Sequence, residues 1–195
     1  MNKLAVIFPG LGYGPDRPLL YYAGKLARKA GYEIVTVSYG ELPRVERPAP
    51  GKPLDTARLE ECFALALERA AQQLEGAGAD DILLISKSIG TAVGAAWAAS
   101  RGLSPRQILY TPVSRTFDFP LADSVAFHGT ADPWLGNAEF NDLCRRASVP
   151  VHVFDGANHS LERGDVSGDI SYLSVAMQST EDFIAERKNG WWKIG

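Results

Sequence analysis

The chain has 195 residues, 46% of them hydrophobic and 22% charged, with a net charge of −3. That length suits one domain with a sizeable core, expected here over 1–195. Basic residues are scattered rather than clustered, which argues against nucleic acid as a partner. The opening apolar run breaks at Pro9-Gly10, too early for the apolar region of a signal peptide, and no stretch approaches the ~20 apolar residues of a membrane span. Cys62 and Cys144 lack any metal-ligand spacing and read as free thiols of a reducing cytosol, so a cytoplasmic location is expected.

Short apolar runs alternate with helical patterns along the chain. Leu4–Phe8 reads as a buried strand. Leu19, Ala23, Leu26 and Ala30 then share one helical face, with Pro18 near its start and Gly31 past its end. Glu33–Tyr39 is rich in β-branched residues and reads as a strand, followed by a Pro-rich connection. Asp55 offers an N-cap to an amphipathic helix carrying Leu59, Phe63, Ala66, Ala70 and Leu74.

Asp81–Ser86 is the next strand, and Ile89–Ser100 a helix of Ala, Gly and Val, apolar on most faces. Three more strands are expected at Gln107–Thr111, Ser124–His128 and Val151–Phe154, with a helix at 137–147 before the last. A final helix is expected over 169–188, with Leu173, Met177, Thr180 and Ile184 in register. The Trp191-Trp192 pair reads as an anchor for the tail.

Strands alternating with helices imply a mostly parallel sheet of roughly six strands in a three-layer α/β/α sandwich. Ligand sites in such sheets lie at the carboxyl ends of the strands. Four chemically loaded segments fall there: Pro9–Gly14, Ser86–Gly90, His128–Trp134 and Gly156–Ser160.

In SKSIG, a nucleophile at Ser88 on a tight strand-to-helix turn would need small neighbours two positions away, and Ser86 and Gly90 supply them. The helix N-terminus would favour negative charge developing there. A plain N-cap serine fits the same residues. In HGTADPW, Asp132 could orient a histidine, or close an Asx turn. In GANHS, His159 lies on a loop, whereas His128 and His152 fall on strands and read as structural. Ser, Asp and His in that order, each after a strand and among glycines, make a stronger pattern than any one of them.

Through SKSIG, HGTADPW and GANHS the chain resembles the α/β-hydrolase fold family, over essentially its whole length. The resemblance implies Ser88 as nucleophile, Asp132 as acid and His159 as base. It implies the backbone N–H groups of Leu11, in FPGLGYG, and Ile89 as oxyanion donors. The family's usual His-Gly is Pro9-Gly10 here, and its usual first elbow Gly is Ser86. Lys between the two serines resembles a subgroup of short, cap-less members, and Lys87 is expected to be a solvated residue of the turn.

The segment between Tyr110 and Ala126 is too short for a cap domain, so a trimmed fold with an open site is expected. Leu11, Tyr13, Thr111, Pro112 and Trp134 are the side chains expected to line it. The function implied is hydrolysis of a small acyl ester or thioester through an acyl-enzyme, with neither metal nor organic cofactor. An acyltransferase or peptidase could use the same residues, and a non-catalytic binding or scaffold protein could keep the fold.

Overall fold

The computed structural model describes residues 2–46 and 54–185. Part of the Pro-rich connection, the end of the expected last helix and Trp191-Trp192 lie outside them. Six strands are described: β1 (Lys3–Phe8), β2 (Glu33–Thr36), β3 (Asp81–Lys87), β4 (Arg106–Tyr110), β5 (Ser124–Gly129) and β6 (Val151–Phe154). All neighbours are parallel, in the order β2-β1-β3-β4-β5-β6. The helices are α1 (Pro18–Lys29), α2 (Thr56–Gln73), α3 (Ile89–Ser100), α4 (Asn137–Ala147) and α5 (Val166–Ala185), with a short 3₁₀ turn at Ser114–Asp118.

The period-2 alternation of the strands sorts their side chains into two layers. Ala5, Ile7, Leu83, Ile85, Ile108 and Phe127 face α1 and α5. Leu4, Val6, Phe8 and Leu84 face α2 and α3. Leu109 and Ala126, on that second face, meet α4. Both faces are covered, which is why the strands read as unbroken apolar runs. α3 is the most enclosed helix, every residue from Ile89 to Ala98 being buried. Gly94 lets it approach the sheet: a Cβ there would lie 3.1 Å from the Phe8 ring and 3.1 Å from Ser86 Oγ.

Two boundaries differ from expectation. β2 stops at Thr36; the Val37 N–H still reaches the Ile7 carbonyl, and the chain then leaves the sheet. α5 starts at Val166 rather than 169. The carboxylate of Asp165 accepts from the Gly168 N–H at 2.7 Å, capping a turn that the apolar pattern does not mark. Asp55 caps α2 as expected, accepting from the Arg58 N–H at 3.0 Å.

Among the described residues, no helix is long and apolar enough to cross a membrane, and no cluster of His, Cys, Asp and Glu could hold a metal ion. Cys62 and Cys144 are buried free thiols.

Candidate active site

Ser88 joins β3 to α3 with φ 56° and ψ −127°. A non-glycine residue in that region is strained, so the surroundings must hold it there. Its N–H donates to the Tyr110 carbonyl at 3.0 Å. Its own carbonyl accepts from the Thr91 N–H at 2.9 Å and the Thr91 hydroxyl at 2.6 Å. The Ser88 side chain caps nothing in the helix, so Oγ is available to another partner. Gly90 is required by contact: a Cβ there would lie 2.3 Å from the Phe8 carbonyl oxygen and 2.4 Å from that of Pro9.

That partner is His159. Its Nε2 lies 2.8 Å from Ser88 Oγ, and its Nδ1 lies 2.6 Å from Asp132 Oδ2. A carboxylate can only accept, so Nδ1–H donates to Asp132 and Nε2 is left to accept the serine hydroxyl proton. Asp132 is buried, with its second oxygen accepting from the Trp134 N–H at 2.9 Å.

The loops carrying Asp132 and His159 are laced together. The Thr130 N–H donates to Phe154, and the Ala131 N–H to Ala157. Gly129 permits this approach, since a Cβ there would sit 2.2 Å from the Ala157 carbonyl oxygen. Asn158 turns the chain under His159, its side-chain oxygen accepting from the Ser160 N–H at 2.7 Å. Burial, and then the nearby Lys87 ammonium, push the His159 pKa down to about 4 against the opposing pull of Asp132. The imidazole is therefore neutral near pH 7.

The β1–α1 loop closes the site from the other side. Gly10 and Tyr13 exchange both backbone hydrogen bonds, at 3.1 and 3.3 Å, which leaves Leu11 outside the pairing. Among the described residues, neither the Leu11 N–H nor the Ile89 N–H has a hydrogen-bond partner. A Cβ at Gly10 would lie 3.1 Å from Ser88 Cβ, so this loop packs directly on the serine. A cavity of about 660 Å³ is lined by this loop and by Val37, Leu42, Arg44, Trp134 and neighbouring residues; Ser88 and His159 are not among its walls, and Leu11 and Trp134 stand between it and them. The Trp134 ring stands 5.8 Å from that of His159.

Of the side chains expected to line the site, Leu11 and Trp134 face this cavity. Tyr13, Thr111 and Pro112 are buried instead. The Tyr13 hydroxyl accepts from the Leu19 N–H at 3.1 Å, turning the ring into the core. Thr111, at φ 42°, donates its hydroxyl to the His159 carbonyl at 3.0 Å, so it holds the histidine loop. Lys87 is a clear correction: expected in solvent, it is 1% exposed. The place of β3 carries the signal: it is a central strand covered on both faces, and Lys87 falls on the face shared by Leu83 and Ile85. His128 and His152 lie outside the Ser88–His159–Asp132 chain. His128 is buried against Phe140 with its rings' centres 4.1 Å apart, and its Nδ1 is 3.8 Å from Asp132 Oδ2.

No family model matches the chain, and neither does any curated protein. Solved structures do. A protein of Agrobacterium tumefaciens described as an α/β-hydrolase of unknown function is 18% identical with a TM-score of 0.66, over 97% of this chain and 87% of that one. An α/β serine hydrolase without lid from Xanthomonas campestris is 16% identical with a TM-score of 0.58, over 94% and 83%. An α/β serine hydrolase homologue from Coxiella burnetii is 16% identical with a TM-score of 0.56, over 91% and 84%. With an all-parallel six-stranded sheet, helices on both faces and only a short 3₁₀ turn between β4 and β5, the chain has the α/β-hydrolase fold in its lidless form.

Proposed function

We propose that this protein is a serine hydrolase of small acyl esters or thioesters. The observation that carries the reading is the unbroken chain from Ser88 Oγ to His159 Nε2 at 2.8 Å and from His159 Nδ1 to Asp132 Oδ2 at 2.6 Å.

Ser88 Oγ attacks the acyl carbonyl while His159 takes its proton. Asp132 steadies the resulting imidazolium and fixes its orientation. The N–H groups of Leu11 and Ile89, at the start of α3, receive the oxyanion, with the helix dipole adding favourable potential. His159 then protonates the leaving alcohol or thiol, leaving an acyl ester on Ser88. Water, deprotonated by His159, attacks that ester; the bond to Ser88 Oγ breaks, His159 returns the proton to Ser88, and the acid leaves. The lidless form leaves the entrance to loops, and the cavity bordered by Leu11 and Trp134 is the place for the substrate.

Fluorophosphonate treatment followed by peptide mass spectrometry should place the adduct on Ser88. p-Nitrophenyl acetate turnover should fall by several orders of magnitude in Ser88→Ala. A folded protein that takes no label and turns over the ester equally with and without Ser88 is a binding protein on a hydrolase fold.

A further inference from the structure

Lys87 sits between the two serines of the elbow and takes no part in the chemistry above. Its backbone ends β3, and its side chain lies on the face covered by α1 and α5, 1% exposed. An enclosed ammonium is ordinarily matched by a carboxylate at ion-pair distance. Among the described residues, no carboxylate lies at ion-pair distance from Lys87 Nζ. It lies 5.0 Å from the centre of the Tyr13 ring, an arrangement that favours a cation on the ring face.

The stem is also in contact. A Cβ at Gly10 would lie 3.4 Å from Lys87 Cγ and 3.3 Å from the Lys87 carbonyl oxygen. The Gly10–Tyr13 loop therefore rests on Lys87 at two points. The Tyr13 hydroxyl, bonded to the Leu19 N–H, ties that loop to the start of α1.

The charged and titratable groups around Lys87 are Tyr13 after β1, Tyr110 paired with it on β4, Asp132 after β5, and His159 and Glu162 after β6. Asp132 and Glu162 favour its proton; burial opposes it more strongly and brings its pKa down to about 7. Lys87 in turn lowers the proton affinity of His159.

We propose that Lys87 is a positioning residue of this site: its stem and ammonium hold the Gly10–Tyr13 loop, and with it the Leu11 N–H, against Ser88. The catalytic part of this inference rests on the hydrolase reading; the seating of the loop does not.

Lys87→Met keeps the stem and removes the charge. With three histidines in the chain, proton NMR can follow the His159 ring directly. Its titration midpoint should rise in Lys87→Met, while that of His152 stays in place. The acid limb of kcat/KM for p-nitrophenyl acetate should rise with it. Tyr13→Leu, which removes the ring and keeps the charge, should lower kcat without moving that limb. Lys87→Leu provides a second neutral variant.

A kcat unchanged in folded Lys87→Met and in Tyr13→Leu overturns the proposal. So does failure of both neutral variants to fold, which would make Lys87 a purely structural residue. If Ser88→Ala retains full turnover, the hydrolase reading fails, and the amide shifts and hydrogen exchange of Leu11, Gly12 and Tyr13 in Lys87→Met still decide whether Lys87 seats the loop.

Discussion

Gly90→Ala tests the contact that seats the elbow beneath the β1–α1 loop. The added Cβ would lie 2.3 Å from the Phe8 carbonyl oxygen, 2.4 Å from that of Pro9 and 2.8 Å from the Phe8 carbonyl carbon. All three are backbone atoms, so no side chain can swing aside. Restoring van der Waals separation needs a shift of roughly 1 Å between the loop and the start of α3. Overpacking of this kind costs about 1–3 kcal/mol, which for a chain this size lowers Tm by several degrees. The same shift draws the Leu11 N–H away from the oxyanion, and losing one such donor costs about 10²–10³ in kcat. Turnover of p-nitrophenyl acetate and a thermal melt of the same sample measure both effects. Gly78→Ala, where a Cβ meets open space, is the control. If Gly90→Ala keeps kcat within about threefold and Tm within about 2 °C of wild type, the close approach does not hold the site together.

Asp132→Asn should leave the fold intact and reduce kcat by about 10⁴, read by steady-state kinetics, because the amide no longer fixes the proton on Nδ1. Ser86→Gly should keep near-full activity, since Ser86 Oγ has no hydrogen-bond partner among the described residues; a loss like that of Ser88→Ala would reverse the two serines' roles. In wild type, kcat/KM should hold through neutral pH and fall as pH drops through about 4, where His159 gains its proton and can no longer act as base. Lys87 gives stability the opposite dependence from a surface lysine. Its folded pKa of about 7 lies below the usual 10.5, so between those values the unfolded chain binds the extra proton and stability rises with pH. At ~1.4 kcal/mol per unit, urea midpoints should climb from pH 7 to 9 in wild type and stay flatter in Lys87→Met.

The strands were legible because both faces of the sheet are covered, which leaves continuous runs such as LAVIF and DILLIS. Ser88, Asp132 and His159 were legible because each stands just past such a run beside residues that permit a tight turn. What escaped was set by geometry across the sheet. Lys87 looks like a surface residue by type, and only its place in a central strand covered on both faces marks it as inward. Thr111, just past β4, and Tyr13, in the loop after β1, fall where ligand-facing residues do, yet hydrogen bonds to His159 and Leu19 turn them inward. Gly129 reads as one more loop glycine until the Ala157 carbonyl is found where its side chain would be. The start of α5 depends on a carboxylate cap at Asp165, which hydrophobic periodicity does not report.

The order of the strands has a practical consequence for anyone handling this protein. Ser88 and His159 are 71 residues apart in sequence, and they meet only when β3, β4, β5 and β6 lie side by side in register. β1 must also be in place beside β3 to bring Leu11 to the serine. No fragment or misregistered sheet can assemble that set. Turnover per mole would then count the fraction of molecules whose β1 and β3–β6 are correctly joined, and so serve as a quality assay for refolded, truncated or permuted forms.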